Sequence, residues 1–525
     1  MNSDCRVTDV LIIGGGIAGG SAALRLAEAG YRVTLVTKAR EPYESNTYYA
    51  QGGIIHRGPE DSADLLVRDL VAAGAELNNP QAVRILAEDG PRLLKQVLID
   101  ELGVPFARRA DRSLDFTREA AHSTERILFV GDATGKAIEE KLVERLAEHP
   151  NICFLTGHTA VDLLTPAHHS TNPLHIYEPL SCIGAYIFDQ HSRNVQSCIA
   201  KATILATGGL GQIYLNTTNP AGARGDGLAM AHRAGARIIN AEYVQFHPTA
   251  FHHQQAPVFL ISEALRGEGA KLLNDAGEPF MHKYAPEWKE LAPRDVVARA
   301  IHHEMLLRNV DHVYLDLASN MPADKIKERF PTIYEKCLAY DVDITREMIP
   351  VVPAAHYFCG GIWVDEWGRT SIRNLYAAGE VSCTGVHGAN RLGSSSLLEG
   401  LVWGNRAADH IIPRLPNMEH FDIRAVPLWD DSGLHETADP ALISQDMTTI
   451  KNIMWNYVGL VRTTHRLERA IGDLRSLSLE IDKFYRRVKL TDGLIGLRNC
   501  LQAATIVTDA AWANKVSRGC HYRES

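Results

Sequence analysis

The sequence predicts an α/β fold joined at its C-terminal end to a helical region, on three observations. Val10-Leu11-Ile12-Ile13 runs straight into Gly14-Gly15-Gly16-Ile17-Ala18-Gly19 and then into an Ala/Leu-rich stretch stopped by Gly30, in the order buried strand, glycine turn, helix. Strand-like apolar runs that end on bare glycines recur at Thr203-Ile204-Leu205 and around Leu375-Tyr376-Ala377. From about residue 440 the apolar spacing becomes helical, with Ile450, Ile453, Met454, Tyr457 and Val461 at i, i+3, i+4, i+7 and i+11. A chain of 525 residues is too long for one core, so two to three domains are expected.

Taken in order, Tyr31 to Val36 returns as a second strand after the first helix. Asn151–Ala206 reads as short alternating strands, with a turn at Asp189-Gln190-His191-Ser192. A further unit, roughly 240–355, opens with a strand at Tyr243-Val244-Gln245-Phe246 that ends in His247 before Pro248. It turns at Asn274-Asp275-Ala276-Gly277 and starts a helix near Pro293. Glycine and small residues return at 359–410, and Pro413 to Pro440 reads as a linker into the helical tail.

A hydrophobic fraction of 45% and a charged fraction of 22% are those of an ordinary soluble protein. A formal charge of −9 argues against a general nucleic-acid or membrane-surface binder. No run of 18 apolar residues occurs, and MNSDCRVTDV lacks a basic segment followed by an apolar one, so neither a membrane span nor a leader is expected. The 9 cysteines are scattered without a C-x-x-C pair, which fits reduced thiols in the cytoplasm and argues against a zinc site or iron–sulfur cluster. The pairs His168-His169, His252-His253 and His302-His303 read as solvated surface, because adjacent side chains point apart.

Gly14-x-Gly16-x-x-Gly19 follows a strand and opens a helix, the context in which such a turn cradles a pyrophosphate. The second strand ends in Thr37-Lys38 instead of the acid that would hold an NAD ribose. Ala206-Thr207-Gly208-Gly209 and Ala377-Ala378-Gly379-Glu380 add two more glycine-ended strands, with Glu380 placed like acids that bind a ribitol hydroxyl. Three such turns over more than 350 residues call for a long cofactor, and FAD fits better than NAD. Gly131-Asp132-Ala133-Thr134-Gly135-Lys136 is one residue short of a phosphate loop and is rejected as one.

Four further segments place polar groups where the fold alone does not require them. They are Gln245-Phe246-His247-Pro248-Thr249, Ser262-Glu263-Ala264-Leu265-Arg266-Gly267-Glu268-Gly269, Pro293-Arg294-Asp295 and the loop from His387 to Leu397 that carries Arg391. Arg294 falls in the first turn of a helix, where the macrodipole disfavours a cation by ~0.3–1 kcal/mol. Singly, each has an ordinary reading: a satisfied core histidine, a salt-bridged arginine, a capping serine. Together with a flavin they describe a pocket of His and Arg suited to a substrate with two carboxylates.

The motifs S-N-T-Y-Y-A-Q-G-G, Q-F-H-P-T, E-A-L-R-G-E-G, P-R-D, H-G-A-N-R-L-G-S-S-S-L-L-E-G and S-R-G-C-H-Y-R resemble those of the succinate dehydrogenase/fumarate reductase flavoprotein family, from residue 8 to about 523. The resemblance implies a Rossmann-like FAD-binding domain (1–240 and 356–422) interrupted by an α+β capping domain (241–355) and followed by a helical C-terminal domain (423–525). It implies that His247, Ser262, His356 and Arg391 hold two substrate carboxylates and that Gln245 lines the same pocket. Arg294 is the position that delivers the proton in fumarate reductases, with Glu263 implied beside it, and these two with His247 form the implied catalytic set. Gly14, Gly16, Gly19, Lys38, Ser45, Thr47 and Gln51 would contact FAD, as would Gly52, Gly53, Gly208, Asp226, Glu380, Ser396 and Leu397; no metal is implied.

Within the family, Glu119 in Thr117-Arg118-Glu119-Ala120-Ala121-His122-Ser123 decides the narrower expectation. A carboxylate there would pair with a substrate α-ammonium, which aspartate has and succinate lacks; the ordinary reading is a solvated loop acid. The resemblance therefore implies oxidation of L-aspartate to iminoaspartate, with oxygen or fumarate as acceptor, as the first step of quinolinate and NAD synthesis. A soluble fumarate reductase is the alternative. Channelling of the product to quinolinate synthase is left open. Asn46 falls where membrane-bound relatives resemble this loop but place the His that bonds to FAD, so the flavin is expected to be held non-covalently.

Overall fold

The computed structural model describes residues 5–119, 121–256 and 258–524. Residues 1–4, part of the stretch read as carrying no leader, lie outside it, as does Ala120 of the Glu119 loop.

The main sheet has seven strands. Val33–Val36 is flanked by Ile152–Leu155 and by Cys5–Ile13, which in turn pairs with Val195–Leu205, all in parallel. The 11-residue strand Val195–Leu205, longer than the short alternating strands expected here, serves two further neighbours on its other edge. Its first half pairs antiparallel with Gly184–Asp189, and its end pairs parallel with Leu375–Ala377. That division brings two of the glycine-ended strands to one edge of the cofactor crevice, beside the first. Gly14 has φ +115°, and a Cβ there would fall 2.0 Å from the Ala206 carbonyl oxygen. Only glycine lets these strand ends meet so closely. The first helix, Ile17–Glu28, packs against Ser396–Ile411, so both helices start near the crevice.

A second sheet, in the order Val244–Phe251, Ile349–Phe358, Val313–Asp316, Lys271–Leu273, is antiparallel and has its own core around Phe251, Phe280, Ile301, Leu315 and Phe330. One expectation fails here. The strand expected to end at His247 continues through Pro248 to Phe251, because the register shifts between His247 and Ala250. A bulge frees the proline from the hydrogen-bond ladder it cannot join. The helix expected near Pro293 is Arg294–Arg308. The tail consists of Pro440–Tyr457, Thr464–Tyr485 and Asp492–Ala513, whose Ile450, Met454, Leu467 and Leu497 join the principal core. Among the described residues no helix is long and apolar enough to cross a membrane. The paired histidines are not all solvated: His169, His252 and His302 are half-buried.

Candidate active site

A cavity of about 1130 Å³ runs between the sheet edge, the cap and the first turn of the helix at Asp492. Single-ligand pockets span roughly 300–1,000 Å³, so there is room for a long cofactor and a small substrate together.

At one end lie the glycine turn and the loop 44–53. Thr47 Oγ accepts the Ile17 amide at 3.0 Å and so caps the first helix, which has no cap of its own. Lys38 is ion-paired with Asp226, and both line the cavity. Burial alone would raise the Asp226 carboxyl, but Arg224 and Lys38 hold it well below the ordinary range. Asn46 donates to Glu380 Oε2 at 2.6 Å, and the Phe358 amide donates to Glu380 Oε1 at 2.9 Å. Burial pushes the Glu380 carboxyl up to about 7. Asn46 Oδ1, Gln51 Oε1 and Thr207 Oγ1 are buried cavity-lining atoms without a partner in the protein. Orphaned donors and acceptors of this kind fit a polar ligand such as the isoalloxazine edge and ribityl chain of FAD.

At the other end the cap contributes cations and neutral imidazoles. His247 and His356 sit on paired strands, His356 at the irregularity between the Gln245–Tyr357 and Phe246–Ala355 pairs, and their ring centroids lie 5.3 Å apart. Burial, reinforced by neighbouring arginines, drives both imidazoles well below their ordinary pKa, and they are neutral at pH 7. Arg391 donates from Nη1 to Ser396 Oγ at 2.8 Å and stacks on the Tyr357 ring at 4.6 Å. Arg294, the first residue of its helix, donates from Nε to Glu263 Oε2 at 2.6 Å. Burial would raise the Glu263 carboxyl, but Arg294 and Arg266 bring it down to about 2. Two carboxylates, Glu263 and Glu119, thus offset the helix-dipole cost of this cation. Glu119 accepts from Ser394 Oγ at 2.8 Å beside Gly52 and Gly393. Burial lifts its carboxyl above the ordinary range, and Arg294 opposes that only in part.

Two family models match the chain, an FAD binding domain over residues 9–397 and a fumarate reductase flavoprotein C-terminal region over 447–525. The L-aspartate oxidase of Yersinia pestis is 45% identical over 99% of this chain and 96% of its own length. That of Pseudomonas aeruginosa is 43% identical over 98% and 94%. This chain belongs to the L-aspartate oxidase family. A solved quinol fumarate reductase of E. coli shares the fold with a TM-score of 0.89 at 30% identity, over 99% of this chain and 92% of that one. As in its family, FAD is the cofactor.

Placed on this L-aspartate oxidase framework, the residues expected in the cofactor and substrate sites line one cavity, with two exceptions. Gly19 does not line it: a Cβ there would fall 2.0 Å from the Gly14 carbonyl oxygen, so its place is in helix–turn packing. Gln245 lies behind the pocket. It accepts from Arg391 Nε at 3.3 Å and donates to the Arg391 carbonyl at 2.9 Å and to Asn390 Oδ1 at 2.6 Å. These bonds tie it to the loop 387–397. His387, expected to share the substrate pocket, is buried against Glu399 at 2.8 Å and the Tyr357 hydroxyl at 3.1 Å, where it supports the ring under Arg391. Glu380 has both oxygens engaged with protein donors, so it holds the loop at Asn46 as well as facing the cavity. Sequence reasoning missed Thr218, whose hydroxyl meets His356 Nδ1 at 2.8 Å, and Tyr357. Tyr357 follows a named histidine and was within reach of that reasoning, whereas Thr218 carries no local signal.

Proposed function

We propose that this protein oxidises L-aspartate to iminoaspartate in the cytoplasm, passing the electrons to oxygen, which becomes hydrogen peroxide, or to fumarate. Arg391, His356, His247 and Ser262 hold the two carboxylates, the arginine by charge and the neutral imidazoles and hydroxyl by hydrogen bonds. Clamping both ends orients the Cα–H bond, which is a contribution of geometry rather than of acid–base chemistry. Glu119 faces the α-ammonium and takes its proton, a role supported by a carboxyl that burial has made more basic. Arg294, kept charged by Glu263 and Glu119, stabilises negative charge on the substrate and in the fumarate direction delivers a proton. FAD, when bound, supplies the acceptor for the two electrons that leave with the Cα hydrogen. Iminoaspartate is short-lived in water, which gives a reason for direct transfer to quinolinate synthase.

The observation that carries this reading is Glu119, an acid at the same cavity end as a clamp of arginine and histidine. A substrate with two carboxylates alone would gain nothing from it. L-Aspartate added to the yellow protein without oxygen should bleach the flavin, and in air peroxide should appear. Absence of bleaching, with fumarate reduced by a reduced dye, would instead make the protein a soluble fumarate reductase.

A further inference from the structure

Two strands of the cap bring histidines together outside the lining of the flavin cavity. His252 directly follows Val244–Phe251, and His312 directly precedes Val313–Asp316. Both strands pair antiparallel with Ile349–Phe358, and Phe251 and Val313 both lie opposite Val351. The two strands therefore run in the same direction, and residues 252 and 312 stand two places apart in register. A strand period of two puts them on one face. Their imidazoles stack with centroids 5.1 Å apart at an interplanar angle of 20°. Asp311 reaches both: its Oδ2 lies 3.6 Å from His252 Nε2 and its Oδ1 lies 2.6 Å from His312 Nδ1. One ligand atom from each of the three residues lies within 4.8 Å of the other two.

Two imidazole nitrogens and a carboxylate oxygen are a donor set for late first-row divalent ions, which are bound at about 2.0–2.2 Å. Donors on a tetrahedron of that radius are separated by roughly 3.3 Å, between the 2.6 and 3.6 Å that now separate Asp311 oxygens from the two imidazoles. Among the described residues no lysine or arginine is ion-paired with Asp311, and its open side leaves a fourth position to water. The imidazoles are half-buried, so their orientation is set by the sheet. We propose that His252, Asp311 and His312 form a binding site for one divalent transition-metal ion, Zn2+ being the representative case, that ties together two strands of the cap sheet that flank Ile349–Phe358. The ion replaces the Asp311–His312 hydrogen bond, and no residue of the flavin cavity takes part.

The test titrates Zn2+ into the chelator-stripped, FAD-loaded protein by calorimetry, alongside His312→Ala, His252→Ala and Asp311→Asn. Wild type should take up one saturable equivalent, the single histidine variants should bind it at least roughly tenfold more weakly, and Zn2+ should raise the melting temperature of wild type but not of these three variants. His168→Ala, at a histidine pair without this geometry, should bind as wild type does. Cu2+ in the same site should show nitrogen ligation by electron paramagnetic resonance, absent from the His252→Ala/His312→Ala double variant. FAD content and aspartate turnover report that the variants are folded. No saturable Zn2+ binding by wild type, or undiminished binding by both single histidine variants, would overturn the proposal.

Discussion

Replacing Glu119 by glutamine isolates one charge. Glutamine keeps the shape of the side chain and an oxygen to accept from Ser394, 2.8 Å away, so the loop should fold unchanged. What is lost is the negative partner for an α-ammonium. Removing one member of a buried charged pair costs about 2–5 kcal/mol. At 1.4 kcal/mol per decade, that is a fall in kcat/KM for L-aspartate of about 30- to 4,000-fold. Fumarate has no ammonium, and Arg294 retains Glu263 at 2.6 Å, so fumarate reduction should change little. A second readout comes from pH. Glu119 has a raised pKa, so aspartate oxidation in the wild type should fall as pH drops through that value and the carboxylate is protonated. The glutamine variant should lack that acid limb. The assay pairs anaerobic bleaching by L-aspartate with fumarate reduction by a reduced dye across a pH series. Equal losses for both substrates, or an unchanged acid limb, would remove Glu119 from amine recognition.

Arg391→Leu should raise the Michaelis constant for L-aspartate by about 2–5 kcal/mol worth of binding, while FAD stays bound; flavin loss on gel filtration would contradict its assignment to the substrate. Because Asn46 offers no ring nitrogen and its amide is held by Glu380, acid precipitation should leave all flavin in the supernatant; yellow precipitate would refute non-covalent binding. Glu139, wholly buried on the helix Thr134–Glu148, is pushed up to about 8 by burial, against an ordinary 4.5. The folded state keeps a proton that the unfolded chain releases, so this carboxyl's contribution to stability is full below about 4.5 and is lost as pH rises to about 8. Glu139→Gln should flatten melting temperature against pH across that window, and parallel curves for the two proteins would sink the idea.

The strand–turn–helix at residues 10–30 was legible because its signals are local. An apolar run, a glycine whose φ of +115° suits a left-handed turn, and a helical apolar stripe are each set by sterics within a few residues. The helical tail was legible for the same reason. Motif content also brought the polar segments of the site into view before any of them could be placed in space.

Placement is what the sequence could not supply. Glu119 and Ser394 meet across 275 positions, and Gln245 holds Arg391 across 146. Nothing periodic links such pairs. Whether Gln245 faces the cavity or stands behind Arg391 depends on strand register, where a slip of one residue reverses the face. The bulge that carries the cap strand through Pro248 is likewise a property of two strands together. The sequence by itself determined the cofactor class and the chemical kinds of group at the site. The tertiary structure alone decided which of those groups share a cavity, which support one another, and that His252, Asp311 and His312 form a second cluster, because distance between segments is fixed by packing and register rather than by residue type.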